Sequence, residues 1–196
     1  TDSQIPITVF GVANALARSP EQVLAMKNAK WEIASHGLKW IEYKDATPTQ
    51  EKNDLLEAIK IHQLVTGFAP RGWYLGRCSS NTVEIAAQYG DFEYISDAYN
   101  DDLPYWISGH KKSQLIIPYT LDANDMRFAT AQGFNNGSQF YDYLRDTFDL
   151  LLLEGRNGSP KMMNIGLHCR LAGRPGRANA IKRFVDYIND FPDVWI

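Results

Sequence analysis

Apolar and polar positions along this chain fall into blocks that alternate between two periods. Ile5 to Val12 and Trp31 to Ser35 are short, nearly continuous apolar runs, as expected of buried strands. Ser19-Pro20-Glu21-Gln22 lies between them. It is a capping-box pattern with proline at the first helical position, and it predicts a helix running to about Asn28. Thr47-Pro48-Thr49-Gln50 repeats that start signal, and Leu55, Leu56, Ile59 and Leu64 give the helix it opens an apolar face. Trp73 to Gly76 reads as a strand, and Asn81 to Tyr89 as a short helix closed by Gly90. Phe92 to Ile95 and Gln114 to Thr120 read as strands. From Ser138, Phe140, Leu144, Phe148 and Leu152 recur at the spacing of one helical face, to an end at Gly155. Lys161 to Leu167 reads as a further strand. Pro175 opens a last helix bearing Ile181, Phe184, Val185 and Ile188, and Val194-Trp195-Ile196 reads as a final strand.

Strands alternating with helices predict an α/β chain of parallel strands joined by crossover helices, here as one domain over residues 1–196. His36, Arg77, Asp122, Asp125 and His168 each come just after a predicted strand. In a parallel barrel that edge is the C-terminal mouth, where catalytic groups sit. His36 stands out, because an apolar run leads straight into Ser35-His36-Gly37. Four residues on, where a metal site would want a second ligand, stands Trp40. The pattern is that of a hydrolase laid out on a metalloenzyme plan, with part of the metal site missing.

The 196 residues suffice for one sizeable core, and the chain is 44% hydrophobic and 22% charged with net charge -3. With pI ≈ 5.8 and scattered basic residues, no polyanion partner is implied and nucleic-acid binding is disfavoured. No apolar run approaches the ~20 residues that span a bilayer. Two cysteines, Cys78 and Cys169, make no disulfide framework and suit a reducing, cytoplasmic setting. Neither has a histidine or acid at nucleophile-like spacing, which disfavours thiol catalysis. Asn136-Gly137-Ser138 and Asn157-Gly158-Ser159 match a glycosylation sequon but read as turns. His62 and His110 read as surface residues.

Five segments carry a family resemblance: Ser35 to Trp40; Gly72 to Arg77 with Asn81; Ser96 to Trp106; Ile117 to Phe128; and Ile165 to Arg177. On these segments the chain resembles the polysaccharide deacetylase superfamily, and within it the allantoinase-type branch of purine breakdown. The resemblance implies an irregular (β/α) barrel. In metal-dependent members a His-x-x-x-His pair and an aspartate hold a divalent cation, which with a second aspartate activates water against an acetamide. His36 matches the first histidine and Trp40 replaces the second; an indole cannot ligate a metal. The matching aspartates would lie upstream of Thr1. The resemblance therefore implies no tightly bound metal or other cofactor. It also implies a chain that starts after the first strands of its barrel, complemented by another chain or by a homo-oligomer partner.

Transferred position by position, the resemblance makes His168 the general acid that protonates the leaving nitrogen, with Asp125 tuning it. Histidine titrates near neutrality and suits that task, and a carboxylate would hold its tautomer. His36 would contact substrate or polarise a carbonyl, and Arg77 would orient a carboxylate or bind an anionic group. Trp40, Asp122, Trp106 and Arg170 are candidate substrate contacts. Each has a plainer alternative. Arg77 reads equally as an ion-pair partner, and Asp122 and Asp125 as turn formers. Arg170, Arg174 and Arg177 near a helix start read as an anion site or as solvated surface. Tyr99, Tyr105, Trp106 and Asp101-Asp102 read as lining of the mouth or as a packed loop. The function expected is hydrolysis of a cyclic amide, allantoin to allantoate. The alternatives are N-deacetylation of an amino-sugar polymer and an inactive binding subunit.

Overall fold

The computed structural model describes residues 5–109 and 112–196, so His110 lies outside the described residues. Residues Pro6–Pro118 build one unit around a six-stranded sheet. Its strands are β1 (Thr8–Gly11), β2 (Glu32–Ser35), β3 (Gly72–Trp73), β4 (Tyr94–Ile95), β5 (Tyr105–Ile107) and β6 (Gln114–Ile116). They lie in the order β1-β2-β3-β4-β6-β5, with β1, β2, β3, β4 and β6 parallel and β5 antiparallel to β6. This is the α/β class that the alternating pattern predicts; the sheet is not closed.

The helices of this unit follow local chemistry. α1 (Ala13–Ala17) and α2 (Pro20–Asn28) follow β1. Proline presets the backbone at the start of α2, although the Ser19 side chain makes no capping bond. α3 (Pro48–Thr66) has both end signals in place. Thr47 Oγ1 accepts the Gln50 amide at 3.2 Å, Gly67 takes the left-handed conformation, and Lys27 Nζ donates to the Thr66 carbonyl at 2.7 Å. α4 (Thr82–Tyr89) is closed by Gly90, as read. Leu55, Ala58 and Ile59 of α3 and Ala86 and Ala87 of α4 pack with Trp73, Phe92, Ile95 and Ile116 in the core.

A second unit comprises Tyr119–Ile196, with Ile5 packed against it. It holds α5 (Gly137–Arg156), α6 (Cys169–Ala172) and α7 (Pro175–Ile188), and a 3-10 turn at Asp125–Ala129. Phe140, Leu144 and Phe148 on the predicted face of α5 meet Phe184 and Ile188 of α7.

Four expectations are corrected. The first strand is confined to Thr8–Gly11, with Ile7 and Thr8 exposed, because it ends the strand order and among the described residues pairs with β2 alone. Lys161 to Leu167 form no strand. Gly166 pairs with Asn124, and Met163 and Ile165 pack against the helical core of the second unit. Val194–Ile196 form no strand, since Val194 bonds back to Phe191 in a turn and Trp195 stands in solvent. Tyr105–Ile107, read as loop, is β5. Its alternation turns Trp106 outward, 66% exposed, and is too short to stand out in the sequence. Among the described residues no helix is long and apolar enough to cross a membrane.

Candidate functional site

In the second unit the backbone brings two distant segments together at one rung. The Asp125 amide donates to the Gly166 carbonyl, and the Gly166 amide to the Ala123 carbonyl, both at 3.0 Å. Gly166 is required here because a Cβ would overlap the Asn124 side chain and the Tyr119 hydroxyl. Asn124 opens the 3-10 turn by accepting the Met126 amide at 2.9 Å, and its Nδ2 donates to Tyr119 Oη at 2.8 Å. Asp125 and His168 therefore face each other across a fixed frame. His168 follows no strand, contrary to the expectation; it sits at the N-cap position of α6, beyond the rung.

Asp125 is fully buried and its carboxylate gathers three N–H donors. Oδ2 accepts the His168 amide at 2.8 Å and the Ala172 amide at 2.9 Å. Oδ1 accepts from His168 Nδ1 at 2.6 Å. An ionised carboxylate only accepts, so Nδ1 carries the hydrogen and Nε2 is the nitrogen that can exchange a proton. The His168 side chain keeps 32% of its surface exposed. A buried acid that orients an imidazole is the arrangement that general acid–base catalysis needs.

The other candidates divide into separate contacts. Asp122 accepts from Tyr143 Oη at 2.5 Å and lies 3.7 Å from Arg127 Nη1. That hydrogen bond is the first cause of the raised Tyr143 pKa. Arg170 is exposed on α6. In the first unit, His36 follows β2 directly and its Nδ1 lies 2.7 Å from the Tyr74 carbonyl. The His36 and Tyr74 rings stack at 5.2 Å and 6°. Arg77 lies beyond the turn that follows β3, with its guanidinium 4.0 Å above the Trp40 ring and Nη1 4.0 Å from Glu42. Asp101 acts as a turn former, since its Oδ1 accepts the amides of Asp102 and Leu103.

The second position of the metal-binding pair that the family resemblance implies carries no ligand. Trp40 stands at the second histidine position with its ring under Arg77, and an indole offers no lone pair to a metal. Among the described residues no group of three His, Cys, Asp or Glu side chains is placed to hold a metal ion.

Three buried polar residues were not marked by the sequence pattern. His62 is not a surface residue: it is fully buried, with Nε2 2.9 Å from the Ile33 carbonyl and Nδ1 3.0 Å from the Phe68 carbonyl. Burial holds its pKa below the ordinary histidine value. Glu51 accepts the hydroxyls of Ser79 and Thr82 and joins α3 to the start of α4. Asp97, at the exit of β4, accepts the amides of Leu75 and Gly76, and burial raises its pKa.

Comparison with known proteins agrees with this architecture. The polysaccharide deacetylase family profile matches residues 1–92. A crystal structure of PuuE allantoinase superposes with a TM-score of 0.94 at 49% identity, covering 97% of this chain and 64% of that one. The structure of a probable polysaccharide deacetylase from Pseudomonas aeruginosa PAO1 gives 0.95 at 51% identity, covering 98% of this chain and 65% of that one. A Schizosaccharomyces pombe protein, provisionally named a polysaccharide deacetylase, is 40% identical over 98% of this chain and 65% of its own length. The chain thus spans just under two thirds of the length of these relatives.

Proposed function

Because the chain belongs to the polysaccharide deacetylase superfamily, we propose that it hydrolyses a carbon–nitrogen amide bond, and that its substrate is the hydantoin ring of allantoin. The observation that carries the reading is the Asp125–His168 pair. An amide nitrogen is a poor leaving group unless it is protonated as the bond breaks. His168 is held by a buried carboxylate through Nδ1, so Nε2 is the nitrogen that would deliver the proton. Water supplies hydroxyl to the ring carbonyl, the C–N bond breaks, and the nitrogen leaves with the proton from His168. The imidazolium becomes neutral imidazole as it gives up the Nε2 proton, the proton lost by water restores the imidazolium, and the new carboxyl group ionises to give allantoate. Asp125 keeps the ring oriented and stabilises the imidazolium.

Allantoin is preferred over an N-acetylated sugar on two supports. One is the 49% identity to PuuE allantoinase. The other is Trp40, which removes a metal-binding position that the deacetylation plan uses. The names of the Pseudomonas and Schizosaccharomyces relatives favour the second reading, amino-sugar deacetylation. The test incubates the purified protein with allantoin and, separately, with acetylated chito-oligosaccharides, and measures allantoate and acetate. Allantoate without acetate is the expected result. Acetate without allantoate would replace the first reading by the second. A folded protein that forms neither product would favour a binding role and overturn both.

A further inference from the structure

The proton transfer above makes no use of Asp97, a buried carboxylate in the first unit that is only 7% exposed. Its Oδ2 accepts the Leu75 amide at 2.7 Å, its Oδ1 accepts the Gly76 amide at 2.8 Å, and the Cys78 thiol donates to Oδ1 at 3.0 Å. Two successive backbone amides on one carboxylate pin the turn that leaves β3. Burial acts against the charged carboxyl and keeps its pKa raised, and these three donors offset burial only in part. Gly76 sits in that turn at φ +77, a conformation that favours glycine.

The same turn holds His36. The Tyr74 ring lies flat on the imidazole at 5.2 Å, backed by Phe10 at 5.0 Å. The Tyr74 carbonyl lies 2.7 Å from His36 Nδ1. A carbonyl only accepts, so Nδ1 carries the hydrogen and the tautomer is set. On Gly76 a Cβ would sit 3.3 Å from His36 Cε1 and equally close to the Tyr74 ring. One face and one edge of the imidazole therefore depend on a turn whose next two amides are fixed by Asp97.

We propose that Asp97 is a positioning residue for His36: its carboxylate fixes the Tyr74–Gly76 turn, and the turn fixes the orientation and tautomer of the His36 ring. The effect on turnover rests on the amide-hydrolase reading; the effect on the ring does not. Asp97→Asn keeps the shape but turns an amide group, itself a donor, toward one of the two backbone donors.

The test reads the tautomer of His36 directly, by nitrogen NMR of labelled protein, with the signals assigned through His36→Ala. The wild type is expected to show Nδ1–H. Asp97→Asn should shift His36 toward a mixed or Nε2–H population while circular dichroism stays native. Cys78→Ala removes the third donor but leaves both amide bonds, and should leave the His36 signals unchanged. A folded Asp97→Asn protein with an unaltered Nδ1–H signature overturns the proposal, as does a Cys78→Ala protein that shifts as far. If Asp97→Asn does not fold, Gly76→Ala perturbs the same turn with the carboxylate intact. A folded Gly76→Ala protein with unaltered His36 signals overturns the proposal equally. With allantoin as probe, kcat/KM of Asp97→Asn should fall by about 10- to 100-fold. A shifted tautomer with unchanged kinetics would support the positioning and count against His36 in the reaction.

Discussion

Replacing Asp125 should separate its structural role from its chemical one. In Asp125→Ala the amides of His168 and Ala172 lose their acceptor together, as does the ring Nδ1–H. An unpaired buried donor costs about 1–3 kcal/mol. The Ala172 bond is buried and the other two are partly so, which gives a total of about 2–5 kcal/mol. Asp125→Asn is milder, because its carbonyl oxygen can take the place of Oδ2 and serve both amides. Its NH2 group then faces His168 Nδ1, which has to surrender its hydrogen and accept. The imidazolium, which needs N–H at both nitrogens, is left facing a donor. The variant should lose about 1–3 kcal/mol and reduce turnover by ~100- to 10,000-fold. Urea unfolding followed by circular dichroism gives the first quantity and allantoin ring opening gives the second. The reasoning fails if Asp125→Ala stays within about 1 kcal/mol of the wild type, or if Asp125→Asn turns over normally.

Two further outcomes follow from the described geometry. Burial depresses the His62 pKa, so the unfolded chain takes up a proton near pH ~6.5 before the folded one does. The folded state should keep this share of its stability above that pH and lose it as the pH falls further; His62→Gln should flatten the slope, and an identical slope in both proteins would contradict it. Ring opening should persist through prolonged chelation, because Trp40 stacks with Arg77 where a ligand would be needed. Loss of activity that zinc restores would show ligands beyond those identified.

Much of the frame was legible because local chemistry decided it. Pro20, Thr47-Pro48 and Pro175 mark helix starts that need no tertiary help. The spacing of Phe140, Leu144 and Phe148 is enough to define the buried face of α5. Asp125 and His168 could be named as candidates from the family resemblance, but the rung that joins them could not. A single pairing through Gly166 leaves no periodic trace, so Lys161 to Leu167 imitated a strand by composition alone. His62 was misread although its spacing from Leu55 and Ile59 puts it on the buried face of α3; the groups that accommodate its ring there are backbone carbonyls, which no side-chain pattern reports. Asp97 stayed hidden for the same reason, since two of its partners are main-chain amides.

The rung between Asn124 and Gly166 also separates being folded from being competent. One pair of backbone bonds aligns the two strips of chain that carry the carboxylate and the imidazole, whereas the α5–α7 packing forms without it. Opening that pair would loosen the two strips and leave the Asp125 carboxylate to hold His168 and Ala172 through its own three bonds, while the α5–α7 packing stays in place. On the proposed function, molecules with this rung closed are those that hold the pair in register. The rate at which the Gly166 and Asp125 amides exchange with solvent becomes a direct measure of that closure.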